Sequence, residues 1–175
     1  MASFRLGVVF ALTPHLNFEG RTADYRGTSS RSKILNSSRV CTVDYIDHVG
    51  IAVKDIDAAL KLFHDVFGAP LAEVKQLDDQ GIRGALVQVG QTRLELMEPT
   101  AADTTIGRFI ERRGEGLHHL AFYVEGLPGK IQIVDELGLQ LIDKAPREGL
   151  SGDIAFIHPR SVFGVLTELV ERPWE

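Results

Sequence analysis

The chain is written twice, and that constrains its fold more than any other feature. The segment His48-Val49-Gly50-Ile51-Ala52-Val53 recurs as His119-Leu120-Ala121-Phe122-Tyr123-Val124, with histidine first and a small residue third. The segment Glu95-Leu96-Met97-Glu98-Pro99 recurs as Glu168-Leu169-Val170-Glu171-Arg172-Pro173, offset by one residue before the proline. Histidine and first glutamate are 47 residues apart in one copy and 49 in the other. A repeat of this kind marks equivalent positions within a single sequence, because each copy is a supersecondary unit that buries its apolar face with help from its neighbour.

Each copy predicts the same order of elements. Residues 45–53 alternate as a strand, and Asp55 then opens an amphipathic helix with Ile56, Ala59, Leu60, Phe63 and Phe67 on one face and Gly68 at its end. Three more strands are expected at 71–77, 82–89 and 92–98, the last two joined at Gly90-Gln91. The second copy predicts a strand at 117–124, a helix from Pro128 to Leu137 stopped by Gly138, and strands near 139–144, 153–158 and 163–171. Pro128 suits a helix start, where its missing N–H would have no partner. A helix around 104–113 links the copies. The expected fold is therefore α+β: tandem βαβββ modules, 44–100 and 116–172, forming one curved, mostly antiparallel sheet around a cleft, in a single domain over 44–175.

Charge divides the chain at the same boundary. Residues 1–43 carry six basic and two acidic groups, whereas residues 44–175 carry 13 basic and 22 acidic ones. An acidic body is a poor partner for nucleic acid, whose phosphates need a basic face. The Gly27-Thr28-Ser29-Ser30-Arg31-Ser32 run reads as part of a flexible leader. Rich in arginine and serine, that leader suits an organelle transit peptide or a plain extension; the short apolar run 6–12 speaks against a secretory signal. The cytoplasm is the expected location, or the mitochondrial matrix if residues 1–43 are a transit peptide. No run approaches the 18 apolar residues of a membrane span. The lone cysteine, Cys41, excludes an internal disulfide and a cysteine-rich zinc module, so any metal must rest on nitrogen and oxygen.

Strand alternation sets His48 on one face with Gly50 and Ala52, and the bulky Val49, Ile51 and Val53 on the other. His119 is placed likewise beside Ala121, and Glu95 and Glu168 face away from their apolar neighbours. Either pair alone reads as solvated strand residues. Recurrence of both pairs favours a divalent cation held by His48, Glu95, His119 and Glu168, with positions left for water or substrate. Two imidazoles and two carboxylates suit Co2+, Ni2+, Mn2+ or Zn2+. His118 falls on the opposite strand face and reads as structural, His64 as solvated, and His15 as part of the leader. His158, in His158-Pro159-Arg160, is placed to touch a substrate.

The strings Ile46-Asp47-His48-Val49-Gly50-Ile51-Ala52-Val53, Leu94-Glu95-Leu96-Met97-Glu98-Pro99, Gly116-Leu117-His118-His119-Leu120-Ala121 and Phe156-Ile157-His158-Pro159-Arg160, with Gly164 to Leu169, carry a resemblance over residues 44–172. The chain resembles the vicinal oxygen chelate (glyoxalase) superfamily and, within it, the methylmalonyl-CoA epimerases. The resemblance implies a divalent metal, often cobalt, on His48, Glu95, His119 and Glu168, and a homodimer. It implies metal-dependent epimerisation of (2R)- and (2S)-methylmalonyl-CoA by 1,1-proton transfer through a metal-stabilised enolate. Some relatives carry a proton-abstracting glutamate where this chain has Gly84, so that base does not carry over; Glu168, Glu95 or a metal-bound hydroxide could serve instead, and Glu168 with a metal-linked partner is favoured. Coenzyme A would need local basic groups, for which Lys144, Arg147 and Arg160 are candidates. Two alternatives share the fold: glyoxalase I, acting on the methylglyoxal–glutathione hemithioacetal, and a metal-free module that binds a small ligand.

Overall fold

The two histidine-bearing strands, each the first of its copy, lie side by side at the centre of one sheet. The computed structural model describes residues 40–173, so the leader expected over 1–43 lies outside the described residues apart from its last four, and His15 lies outside them too. The elements in chain order are β1 (Tyr45–Ala52), α1 (Ile56–Phe67), β2 (Lys75–Leu77), β3 (Ile82–Val89), β4 (Thr92–Pro99), α2 (Thr105–Arg113), β5 (Gly116–Tyr123), α3 (Leu127–Glu136), β6 (Arg147–Glu148), β7 (Asp153–Ile157), a 3-10 turn (Pro159–Ser161) and β8 (Thr167–Glu171). The sheet order is β2-β3-β4-β1-β5-β8-β7-β6. Read outward from the antiparallel β1–β5 seam, both halves present their strands in the same succession. β1 pairs with β4 and β5 with β8 in parallel, and the remaining pairs are antiparallel, giving a curled, mixed half-barrel.

The helices pack on the outer face. Val53, Ile56, Ala85, Val87 and Leu96 form the buried cluster beneath α1, and Val124, Leu127, Ile131, Val134 and Leu169 the matching one beneath α3. Leu96 and Leu169 occupy equivalent positions, and truncating either to alanine would cost about 2–5 kcal/mol. The second glutamate of the repeated segment has a structural task in both copies. Glu98 accepts the Ile56 N–H at 3.0 Å, and Glu171 accepts those of Gly126 and Leu127 at 2.6 and 3.0 Å, so each satisfies the exposed donors at the start of its own half's helix. The inner face carries two smaller clusters, Ala52-Ile82-Met97-Ile106 and Ala121-Ile154-Phe156-Val170.

Several elements depart from the sequence pattern. The strand expected at 71–77 shortens to 75–77, and the one at 163–171 begins only at Thr167, because Phe163 and Gly164 both adopt left-handed backbone (φ 52° and 89°) that no strand accommodates. No strand forms at 139–144: Leu141 makes one isolated bridge to Ile157, and the Asp143 carboxylate, rather than a neighbouring backbone, accepts the Phe156 N–H at 2.9 Å. The edge strand forms later, at Arg147–Glu148. Phe67, expected on the buried face of α1, is 61% exposed and touches the Phe63 ring at 5.6 Å, since the last turn of the helix runs past the apolar cluster. No described helix is long and apolar enough to cross a membrane.

Candidate metal centre

Cross-strand register explains why the repeat carries a small residue two places after each histidine. Gly50 is paired with Glu95 on one side and His119 on the other, and Ala121 is paired with His48 and with Glu168. Two adjacent rows therefore each run carboxylate, small residue, imidazole across three strands. A Cβ on Gly50 would lie 2.2 Å from His119 Cε1, so only glycine leaves room for that ring. The four polar side chains, all buried, converge from β1, β4, β5 and β8, and their donor atoms lie within 4.8 Å of one another.

The separations suit a shared cation. His48 Nε2 and His119 Nε2 are 3.1 Å apart and both turned inward. Glu95 Oε2 is 3.5 Å from the first and 3.2 Å from the second, and Glu168 places Oε1 3.7 Å from His48 and Oε2 3.3 Å from His119. Ligands about 2.0–2.2 Å from one ion sit about 3 Å apart as neighbours and about 4 Å apart as opposites. Two inward nitrogens facing two carboxylates thus form a donor set fit for a divalent ion.

Burial and mutual charge set the proton affinities of these groups. Burial opposes a charged His48, but hydrogen bonds with Asp47 and Glu95 and the charges of Glu95 and Glu168 outweigh it, raising its pKa to about 10. Burial also opposes ionisation of Glu95, yet the two imidazoles hold its pKa well below the usual carboxylate range. Glu168 goes the other way: burial and the facing Glu95 charge both push its pKa up. Such protons are the ones a cation displaces on binding.

Both candidate ligand histidines follow a β-bulge, which the two-residue alternation of a strand cannot reveal. The β1–β5 register skips at Asp47 and again at His118, the residues immediately before His48 and His119. At the first bulge Asp47 is buried and its Oδ1 lies 2.8 Å from His48 Nδ1, fixing the ring so that Nε2 faces the centre. Asp47 is itself paired with Arg93 and with Arg172, whose Nε lies 3.0 Å from Oδ2. These charges and the His48 contact overcome burial and lower its pKa. At the second bulge His118 turns into the cleft beside His119, the two Nδ1 atoms 3.0 Å apart, whereas strand alternation places it on the opposite face. Burial, and then the nearby His119, depress its pKa to about 4.

A cavity of 380 Å³ opens over the cluster, with Glu95, His118, His119, Arg147, Phe156 and Glu168 among its walls and Ile82, Met97, Ile106 and Leu166 supplying apolar lining. Of the three basic residues expected at a substrate, Arg147 lines this cavity, its guanidinium 5.4 Å from the Phe156 ring and its Nε 3.2 Å from Asp143. Lys144 and Arg160 are exposed and lie outside the cavity lining. His158 caps the 3-10 turn through a 3.1 Å bond from the Arg160 N–H and lines a second cavity next to the first. His64 is exposed, with Nδ1 2.9 Å from the Ala69 carbonyl. Asp47, Arg93 and Arg172, and the turn of His118 into the cleft, escape the sequence pattern; the one signal is that a titratable residue precedes both repeated histidines.

The family model of the Glyoxalase/Bleomycin resistance protein/Dioxygenase superfamily matches residues 47–156. The uncharacterized protein YqjC of Bacillus subtilis (strain 168) is 41% identical over 127 residues, which are 72% of this chain and 91% of that protein. The crystal structure of methylmalonyl-CoA epimerase from Mycobacterium tuberculosis superposes with a TM-score of 0.72 at 38% identity, covering 75% of this chain and 90% of that one. A structure of methylmalonyl-CoA epimerase in complex with methylmalonyl-CoA and NH4+ superposes equally well, TM-score 0.72, at 32% identity over 75% of this chain and 96% of that one.

Proposed function

Because the chain belongs to the glyoxalase/bleomycin resistance protein/dioxygenase superfamily, in its methylmalonyl-CoA epimerase branch, we propose that it interconverts the 2R and 2S epimers of methylmalonyl-CoA by moving the α-proton. The observation that carries the reading is the buried His48-Glu95-His119-Glu168 cluster beneath a half-apolar cavity. Epimerisation removes a proton from a carbon between a thioester and a carboxylate, which leaves negative charge on the acyl oxygens. A divalent ion, cobalt by family resemblance and nickel, manganese or zinc by ligand chemistry, would be held by those four residues and would supply the Lewis acidity that stabilises such charge.

The chain's own residues account for the rest. Glu168 is the candidate base. Its carboxyl borders the cavity, and burial together with the Glu95 charge gives it a higher proton affinity than an exposed glutamate has. Glu95, gripped by both imidazoles, is the poorer acceptor of the pair. Met97, Ile106 and Leu166 exclude water from the reacting carbon, and Arg147 stands at the cavity wall as a cation for the acidic acyl group. Gly84 contributes no acid or base, and a Cβ added there would already sit 3.1 Å from Leu150 Cδ2.

The test is proton NMR of 2R-methylmalonyl-CoA in D2O with metal-loaded protein. Deuterium should enter C2 as the chirality is lost, and a chelator should stop both. No exchange with the loaded protein, alongside turnover of the methylglyoxal–glutathione hemithioacetal, would overturn the assignment in favour of a lyase.

A further inference from the structure

The described sheet ends in β2 on the first half and in β6 on the second, and the turn after β6 reaches from one half to the other. The Gly149 N–H donates to the Gly152 carbonyl at 2.8 Å, which closes a tight turn with Leu150 and Ser151 at its tip. Both ends of this turn require glycine. A Cβ on Gly149 would lie 2.7 Å from Ile154 Cγ2 on β7, and one on Gly152, whose φ is 146°, would lie 2.3 Å from the Glu171 carbonyl oxygen on β8. Held against those strands, the turn carries the half-buried Leu150 over to β3, where its Cδ2 fills the space above Gly84. Gln80 Nε2, from the β2–β3 turn, donates to the Glu148 carbonyl at 3.0 Å, a polar link between the same two regions. Resting on the reading above, we propose that Leu150, seated on Gly84, sets the largest alkyl substituent that the reacting carbon can carry.

Three observations support it. The first is the reason for the glycine. Gly84 lacks the left-handed backbone of the turn glycines, so its missing side chain supplies space rather than chain geometry: a Cβ there would lie 3.1 Å from Leu150 Cδ2. The second is position. Leu86 pairs with Glu95 and Gly84 with Met97, so Gly84 is the diagonal neighbour of Glu95 on the inner face, about 7–8 Å away. Leu150 therefore walls the cavity at the inward-facing row next to the four-residue cluster. The third is polarity. On the second-half wall the Arg147 guanidinium lies 5.4 Å from the Phe156 ring, and it draws the free carboxylate of a malonyl thioester to that side. The alkyl group is left to the wall of Ile82, Met97, Ile106 and Leu150, whose side chains are all apolar.

The test compares methylmalonyl-CoA with 2-propylmalonyl-CoA, following deuterium exchange at C2 by proton NMR in D2O with metal-loaded protein. The quantity read is the ratio of kcat/KM for the propyl thioester to that for the methyl one. Replacing Leu150 by alanine removes an isopropyl group from the wall, room for about two methylenes, so L150A should raise the ratio at least about tenfold, since one methylene against a full apolar wall changes kcat/KM about 10–200-fold. In G84V/L150A a strand valine refills that space from the other side, and the ratio should return to its starting value. L71A, at a leucine that is 78% exposed, is the control and should leave the ratio unmoved. A ratio unchanged in L150A, or one that stays high in G84V/L150A, would overturn the proposal. If the unmodified protein exchanges neither thioester, the epimerase reading falls, and the ratio of calorimetric affinities for the two thioesters, compared across the same variants, decides the role of Leu150.

Discussion

The two halves present the same donors to the centre and support them differently. In the first half the inward imidazole leans on a buried carboxylate, Asp47, braced by Arg93 and Arg172; in the second it leans on another imidazole, His118, which also borders the cleft. The carboxylates diverge too, Glu95 held ionised and Glu168 pushed toward the protonated form. Duplication supplied a symmetric donor set, and the groups that surround it have diverged between the halves.

The largest expected effect tests that division directly. Glu168→Gln should reduce α-proton exchange by about 10²–10⁴-fold, whereas Glu95→Gln, whose amide oxygen can still accept from the imidazoles, should lose less than about tenfold; equal losses would erase the distinction between the halves. Next comes the support of the rings. Asp47→Asn should weaken metal affinity by about 10–100-fold in a chelator competition, and His118→Asn by less, because a neutral ring lends no charge to its neighbour.

The small residues in the two rows offer a milder contrast. Gly50→Ala should destabilise the fold by about 1–3 kcal/mol in denaturant melts and lower metal stoichiometry, since the new methyl occupies the His119 ring position. Ala121→Gly, with no such collision, should cost about 0.5–1 kcal/mol for its added chain entropy and leave the metal in place. The smallest effect is in acid. The folded protein holds the His118 pKa near 4, below its ordinary 6.5, so between those values the unfolded chain binds more protons and stability falls as pH is lowered. The contribution is complete above pH 6.5 and lost toward pH 4; His118→Asn should flatten the stability profile in that window alone.

Much of the centre is legible in the sequence. The repeat locates all four central residues, because a strand pair that meets its own copy must return the same side chains to the same place. Glu98 and Glu171 are visible as repeats, but their role at the helix starts is not, since it depends on how far β4 and β8 run past α1 and α3. The bulges are hidden for a physical reason: alternation assumes one residue per pleat, and an inserted residue at His118 reverses the assigned face without altering the local composition. The basic residues are hardest. Nothing distinguishes Lys144 from Arg147 along the chain, yet one faces solvent and the other the cleft, a difference fixed by where the Arg147–Glu148 strand joins the sheet edge.

The rows of the centre also impose an order on its birth. The first half alone offers one imidazole and one carboxylate, His119 arrives with β5, and Glu168 enters only with β8, the last of the described strands to leave the ribosome. A nascent chain still lacking that strand has three of the four donors and an open corner, so the full donor set waits for β8. Occupancy by a cation would then report that synthesis has passed β8 and that both halves have found each other.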